Sequence, residues 1–225
     1  MINFNRGGQD AAALLLLPAL SNLLFASFSI DTPLMRALRL SLLLSCSVES
    51  ICRARIDDID HRGRRIRIRN GPINNNPVSC GRIAFDQILR FVDGRKTGTI
   101  LLDEVGEPIV IDRHAEAYAI ELVTEADPAF RDIAWNFDSA LRSTQTILAL
   151  AGHPLEAIDA QNGKVNWPVE LRPSELPRNQ AFAAADLEWL LLDELDDDAR
   201  NDPLANEAGA VVIDIGTEDD RGGRR

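Results

Sequence analysis

The chain has 225 residues, 45% hydrophobic and 26% charged, with a formal net charge of −11 at pH 7. That length accommodates one sizeable core, or one core with a small appendage, and the composition excludes a chain disordered throughout. Cys46, Cys52 and Cys80 are odd in number and form no CxxC pair, which argues against a disulfide framework or structural zinc site and favours a reducing, cytoplasmic setting.

In chain order, "AAALLLLPALSNLLFASFS", Ala11 to Ser29, is the only stretch that resembles a membrane span or export signal. Pro18, Ser21 and Asn22 interrupt it and Arg6 is the single basic residue before it, so a buried helix and no membrane partner are expected. From about Pro33 to Ala54, Leu34, Leu38, Leu42 and Leu43 recur at helical spacing. Alternation then takes over: Ile56 and Ile59, followed by Ile66 and Ile68 between Arg65, Arg67 and Arg69, predict two short strands joined by a turn at Arg62 and Gly63. A Gly/Pro/Asn loop leads to a third strand at Pro77 to Cys80, and Arg82 to Val92 returns to helical periodicity.

A short apolar run, a turn at Gly106 and a helix capped by Asp112 come next. "DSALRSTQTILALAGHPLEAIDAQNGKV", Asp138 to Val165, reads as two helices around a glycine-containing break. "FAAADLEWLLLDELDDDAR" predicts an amphipathic helix ending in acid, "AVVIDIG" an edge strand, and the last residues a disordered tail. There is no internal repeat, P-loop, GxGxxG or zinc-ligand cluster, so neither a cofactor nor a metal is expected.

Charge is distributed unevenly along these elements. Between Asp31 and Lys96, 13 basic residues stand against 7 acidic ones, whereas from Thr97 onward 10 basic residues stand against 27 acidic ones. A basic first half joined to an acidic second half points to a nucleic-acid surface or an acidic tail, although the net charge alone would speak against DNA. The densest basic feature is Arg62, Arg64, Arg65, Arg67 and Arg69, with Arg53 and Arg55 just before it. On a strand, Arg65, Arg67 and Arg69 share one face and Ile66 and Ile68 the other, so a row of guanidinium groups suited to bidentate phosphate and guanine contacts would stand over an apolar backing. A solvated strand face balanced by Asp57, Asp58 and Asp60 is the alternative.

The run "TPLMRALRLSLLLSCSVESICRARIDDIDHRGRRIRIR" resembles the start of a tyrosine recombinase (phage integrase) catalytic domain, where an apolar helix leads through a "TGLRxxELxxLxWxDID" pattern into a strand pair. Asp58, Ile59 and Asp60 match the "DID", and Arg55 the arginine-like position before it. "GTILLDEVGEPIVIDRHAEAYAI" is similar to the family's "LF…GxPLS" passage and the helix after it. "ALRSTQTILALAGHPLEAIDAQNGK" is similar to "DLRHTFAxxLLxAGxxLxxIxxxLGH", with Leu141, Arg142, Thr144, Ala151, Gly152, Leu155, Ile158 and Gly163 in register. The resemblance covers Thr32 to Val165 and implies a mainly α fold with a small antiparallel β-sheet (α+β). It divides the chain into an apolar N-terminal helix (1–30), a recombinase-like core (31–166) and an acidic C-terminal extension (167–225).

In that family two arginines clamp the scissile phosphate, a lysine and histidines assist proton transfer, and a tyrosine near the C-terminus attacks. Here Ser47 stands at the first arginine position and Gly71, between Asn70 and Pro72, at the lysine position. The HxxR motif becomes Ser139 to Arg142, Lys164 takes the later histidine or tryptophan position, and the only tyrosine, Tyr118, lies upstream. What the resemblance implies is binding without cutting, with no catalytic residue and with Arg142 and Lys164 retained as phosphate-holding cations. Arg142 paired to a nearby carboxylate and Lys164 as a solvated turn lysine remain open. His114 and Tyr118 read as packing or surface residues, His153 as a turn residue, and Ser139, Ser143 and His153 as no nucleophile–base motif. The Asp/Glu clusters near the C-terminus lack calcium-loop spacing and read as a solvated acidic face.

The expectation is therefore a non-cleaving DNA-binding protein, a regulator or accessory factor, with double-stranded DNA as partner. A protein interaction module, or self-association through the acidic C-terminal half, is the second reading; an active recombinase with an unconventional nucleophile is the third.

Overall fold

The structure, a computed structural model, describes residues 14–70, 74–162 and 175–193, without the side chains of 69, 70 and 74–76. The chain divides into two units, Met1–Glu194 and Leu195–Arg225, and the described residues all belong to the first. Lys164, the glycine at the lysine position, the acidic run from Leu195 onward, the expected strand at Ala210 to Ile215 and the tail lie outside the described residues.

Helix α1 (Leu17–Ser29) carries Pro18 in its first turn, where the missing N–H costs nothing, and fully buries Leu20, Leu23 and Leu24. At 13 residues it is about 20 Å long, well short of the roughly 30 Å of a bilayer core. No helix among the described residues is long and apolar enough to cross a membrane.

Helix α2 (Pro33–Leu44) starts where the Thr32 hydroxyl accepts a hydrogen bond from the Met35 N–H, and it is buried almost all round. The single helix expected from Pro33 to Ala54 is in fact two. Ser45 turns into the left-handed region (φ 50°), and its hydroxyl is fixed 2.9 Å from Thr144 Oγ1 on a distant helix. Ser47 then caps α3 (Val48–Cys52) through the Ser50 N–H. The Ser41 hydroxyl donates to the Cys46 carbonyl just past the end of α2 and the Ser47 hydroxyl accepts at the start of α3, although the apolar periodicity runs on through both.

A 3-10 turn (Ile56–Asp58) takes most of the expected first strand, leaving β1 (Ile59–Asp60). With β2 (Arg65–Asn70) and β3 (Asn74–Ser79) it forms a three-stranded antiparallel sheet in the order β1-β2-β3. The register sets Ile59 opposite Ile66, Asp60 opposite Arg65, and Ile66 opposite Val78. The third strand begins three residues before the expected Pro77, because pairing with β2 continues to Asn70 opposite Asn74.

Helix α4 (Arg82–Val92) follows the expected bounds. Gly106 supplies the positive φ (86°) of the turn before α5 (Arg113–Ala126), whose first N–H groups, of His114 and Ala115, donate to Asp112 Oδ1. Helix α6 (Phe137–Leu150) opens with a reciprocal capping box between Asn136 and Ser139. Gly152 (φ 89°) makes the break to α7 (Leu155–Gln161), and α8 (Leu176–Asp193) is the last described element. The fold is mostly helical with a small antiparallel sheet, an α+β arrangement. Leucines from α1 and α8, which the sequence assigns to separate flanks, join the same core as the elements between them.

Two buried charges lock the helices together. Arg39 on α2 donates from Nη1 to Gln87 Oε1 on α4 (2.7 Å) and from Nη2 to the Ser27 carbonyl of α1, with the guanidinium 4.3 Å from the centre of the Phe28 ring. Burial pushes its pKa down to about 10, opposed by Asp31 at 3.6 Å, so the group stays charged at neutral pH. The second is Glu188 on α8. The N-cap of α4, Gly81, has no side chain to satisfy the helix's free N–H groups, and Glu188 does so instead, accepting from Ile83 N (3.1 Å) and Ala84 N (2.7 Å). Burial pushes the carboxyl's pKa up while those donors pull it down.

Glu188→Ala should therefore destabilise the fold by about 2–4 kcal/mol in urea denaturation, since the buried Ala84 N–H and the half-buried Ile83 N–H lose their acceptor. Gly81→Ala should also destabilise, because an added Cβ would occupy the space of the Glu188 carboxylate.

Candidate nucleic-acid interface

The hairpin begins with a turn that the sequence builds locally. Asp60 Oδ1 accepts from the N–H groups of Arg62 (3.0 Å) and Gly63 (3.1 Å), an arrangement in which a short carboxylate substitutes for a backbone turn partner. A Cβ at Gly63 would lie 2.5 Å from Asp60 Oδ2, so the tight wrap requires glycine. Arg64 follows in the left-handed region (φ 45°), and its carbonyl accepts from Cys80 N at 2.9 Å. The result is a turn whose Arg62 and Arg64 side chains are exposed.

Strand β2 then separates its two faces. Ile66 and Ile68 are buried with Val78, whereas Arg67 is exposed and Arg65 half-buried. Arg69 pairs through its backbone with Asn75, and its side chain lies outside the described set. Among the described residues, the side chains of Arg53, Arg62, Arg64, Arg65 and Arg67 make no ion pair. Arg55 differs, meeting Asp57 at 3.4 Å in an exposed pair.

The outer edge of β3 is closed by side-chain amides. Gln161, at the end of α7, accepts from Ser79 N (3.2 Å) and donates to Ser79 O (2.6 Å) and to Leu44 O at the end of α2 (3.3 Å). Gln180 on α8 donates to Pro77 O (3.3 Å). These contacts fix the arginine hairpin to the helical body. Sequence reasoning missed them, although one signal was present: Gln161 continues the α7 face that buries Ala157 and Ile158, where an apolar residue would be expected.

Arg142 is not part of the arginine row. It sits on α6, which packs mainly on α1, α2, α7 and α8, whereas the hairpin packs on α3, α7 and α8. Its Nε lies 2.9 Å from Asp138 one turn earlier, the carboxylate pairing that the sequence left open. An exposed pair of this spacing contributes only about 0.3–0.5 kcal/mol, so a phosphate could displace the carboxylate.

The other positions of interest are engaged or inert. The Ser139 hydroxyl is used in the α6 cap, donating to the Asn136 carbonyl and accepting from its N–H. Ser47 caps α3. His153 Nε2 lies 3.0 Å from Asp186 Oδ2, while His114 and Tyr118 are exposed on α5. No group of three or more His, Cys, Asp or Glu side chains among the described residues is placed to hold a metal ion. The three cysteines are buried and free; burial pushes the thiols of Cys52 and Cys80 up to about 12 and that of Cys46 higher still.

Thiol titration with an aromatic disulfide should accordingly find no fast-reacting group in the folded protein and three after denaturation. Gln161→Leu should lower stability by about 2–4 kcal/mol in urea melts, because the Ser79 and Leu44 groups lose their partners in a dry setting. No protein-family model matches the sequence, and no curated protein matches it either.

Proposed function

We propose that this protein binds double-stranded DNA through the β1–β2 hairpin without cleaving it, acting as a regulator or accessory factor of a mobile element or phage on a tyrosine recombinase-like core. The observation that carries the reading is the set of arginines at 62, 64, 65 and 67, which lack ion-pair partners among the described residues of a chain with 35 acidic residues. That these side chains meet no carboxylate among the described residues favours an anionic partner. At physiological salt the Debye length is about 8 Å, so a phosphate at the hairpin responds to the charges near it more than to the net charge of −11.

Order of elements adds to this reading. The apolar helix α2, the small antiparallel sheet and then α4 to α7 stand in the order of the three segments that carry the resemblance. Clamping a phosphate needs only cations, whereas cleavage also needs a nucleophile and a proton donor for the leaving oxygen. Ser47 and Ser139 at two of the family's catalytic positions are engaged in helix caps, which favours binding over strand transfer.

Binding to labelled duplex should weaken steeply with salt, with a log-log slope of roughly −4 to −5 if about five side chains neutralise phosphates. Replacing Arg64, Arg65, Arg67 and Arg69 by Ser should flatten that slope and abolish binding at moderate salt, and no covalent protein–DNA adduct should accumulate with either protein. Salt-insensitive binding, or binding that survives the fourfold replacement, would reject the hairpin as the DNA surface.

A further inference from the structure

Asp60 is an acidic residue in the middle of the basic hairpin. It ends β1, stands opposite Arg65 in the sheet and leads into the turn that carries Arg62 and Arg64. By charge alone, an exposed carboxylate in this place should repel a phosphate and work against the arginines. Its hydrogen bonds point elsewhere. Oδ1 accepts from the N–H groups of Arg62 and Gly63, and among the described residues the carboxylate forms no ion pair with Arg62, Arg64, Arg65 or Arg67.

Those N–H groups belong to the two peptide units on either side of Arg62, so one side chain fixes the backbone of that residue. Two further ties hold the turn to the body of the fold. The His61 ring stands edge-on to Phe85 of α4, with 6.1 Å between centroids and 81° between planes, and the Arg64 carbonyl accepts from Cys80 N at 2.9 Å. Arg64 itself is left-handed (φ 45°), a conformation that a residue with a Cβ seldom adopts unless its neighbours hold it there. A long side chain whose backbone is already fixed loses less freedom on meeting a phosphate than one on a loose loop.

We propose that Asp60 is a positioning residue that strengthens DNA binding in spite of its charge, by presetting the turn from which Arg62 and Arg64 reach the phosphates. The inference rests on the reading of the hairpin as the DNA surface. It also gives Gly63 a part in binding, because a Cβ there would lie 2.5 Å from Asp60 Oδ2 and drive the carboxylate off the turn.

Titration of labelled duplex with the full chain and its Asp60→Asn, Asp60→Ala and Gly63→Ala variants separates position from charge, at a temperature where circular dichroism shows each protein folded. Asparagine makes the same side-chain turn as aspartate. Asp60→Asn should therefore keep the turn, lose a negative charge and bind about two- to fivefold more tightly, a gain that fades as salt screens it. Asp60→Ala loses the same charge, yet should bind about tenfold more weakly than the wild type, because two arginines and their turn must be ordered on each encounter. That ratio to the wild type should persist across the salt range. Gly63→Ala, with its charge unchanged, should follow Asp60→Ala. Tighter binding by Asp60→Ala, an equal loss in Asp60→Asn and Asp60→Ala, or wild-type affinity in Gly63→Ala would each overturn the proposal and leave the hairpin as the DNA surface. A wild type that fails to bind duplex, or binding that survives the fourfold arginine replacement, would overturn both readings together.

Discussion

The buried amide of Gln161 joins three elements: the end of α7, the last strand of the sheet and the end of α2. With one side chain it supplies an acceptor and a donor to Ser79 on the sheet and a donor to Leu44 at the end of α2. A side-chain amide mimics a neighbouring strand here, and because both hydrogen bonds to Ser79 are directional, they hold the end of β3 against α7. Register then passes from β3 to β2, whose Ile66 and Ile68 face the core while Arg67 faces outward. Cys46, whose thiol meets the Gln161 carbonyl at 3.1 Å, and Ser45, whose hydroxyl meets Thr144, complete the same junction.

Electrostatics in this molecule are decided by distance more than by total charge. Arg39 and Glu188 have left water, and each is tolerated only because several partners compensate it: a carbonyl, an amide and a ring for the first, and helix N–H groups for the second. Arg62, Arg64 and Arg67 on the hairpin are exposed and need no such compensation. Charge of one sign thus serves structure at Arg39 and stands in solvent on the hairpin.

Periodic features were readable from sequence because they repeat within one element. The bounds of α4, the Asp112 cap, the glycine turns and the alternating faces of β2 all follow from residues a few positions apart. The misses share a cause. Ser45 breaks a helix whose apolar pattern continues, with support from Thr144, 99 residues away. Gln161 and Glu188 find their partners across 82 and 104 residues, and Glu188 in a leucine-rich acidic helix looks like one more surface carboxylate. Among the candidate site residues, the arginine row was legible from composition and alternation, but Arg142, attached to it only by family resemblance, sits on a differently packed helix with its own carboxylate.

The amides along β3 also bear on what this sheet cannot do. One margin of it is occupied by Gln161 and Gln180, and the opposite margin ends in β1, just two residues long and finished by Asp60. Neither side offers a continuous ladder of open N–H and C=O groups to a stranger strand, so fibre growth by edge-to-edge templating has no starting point here.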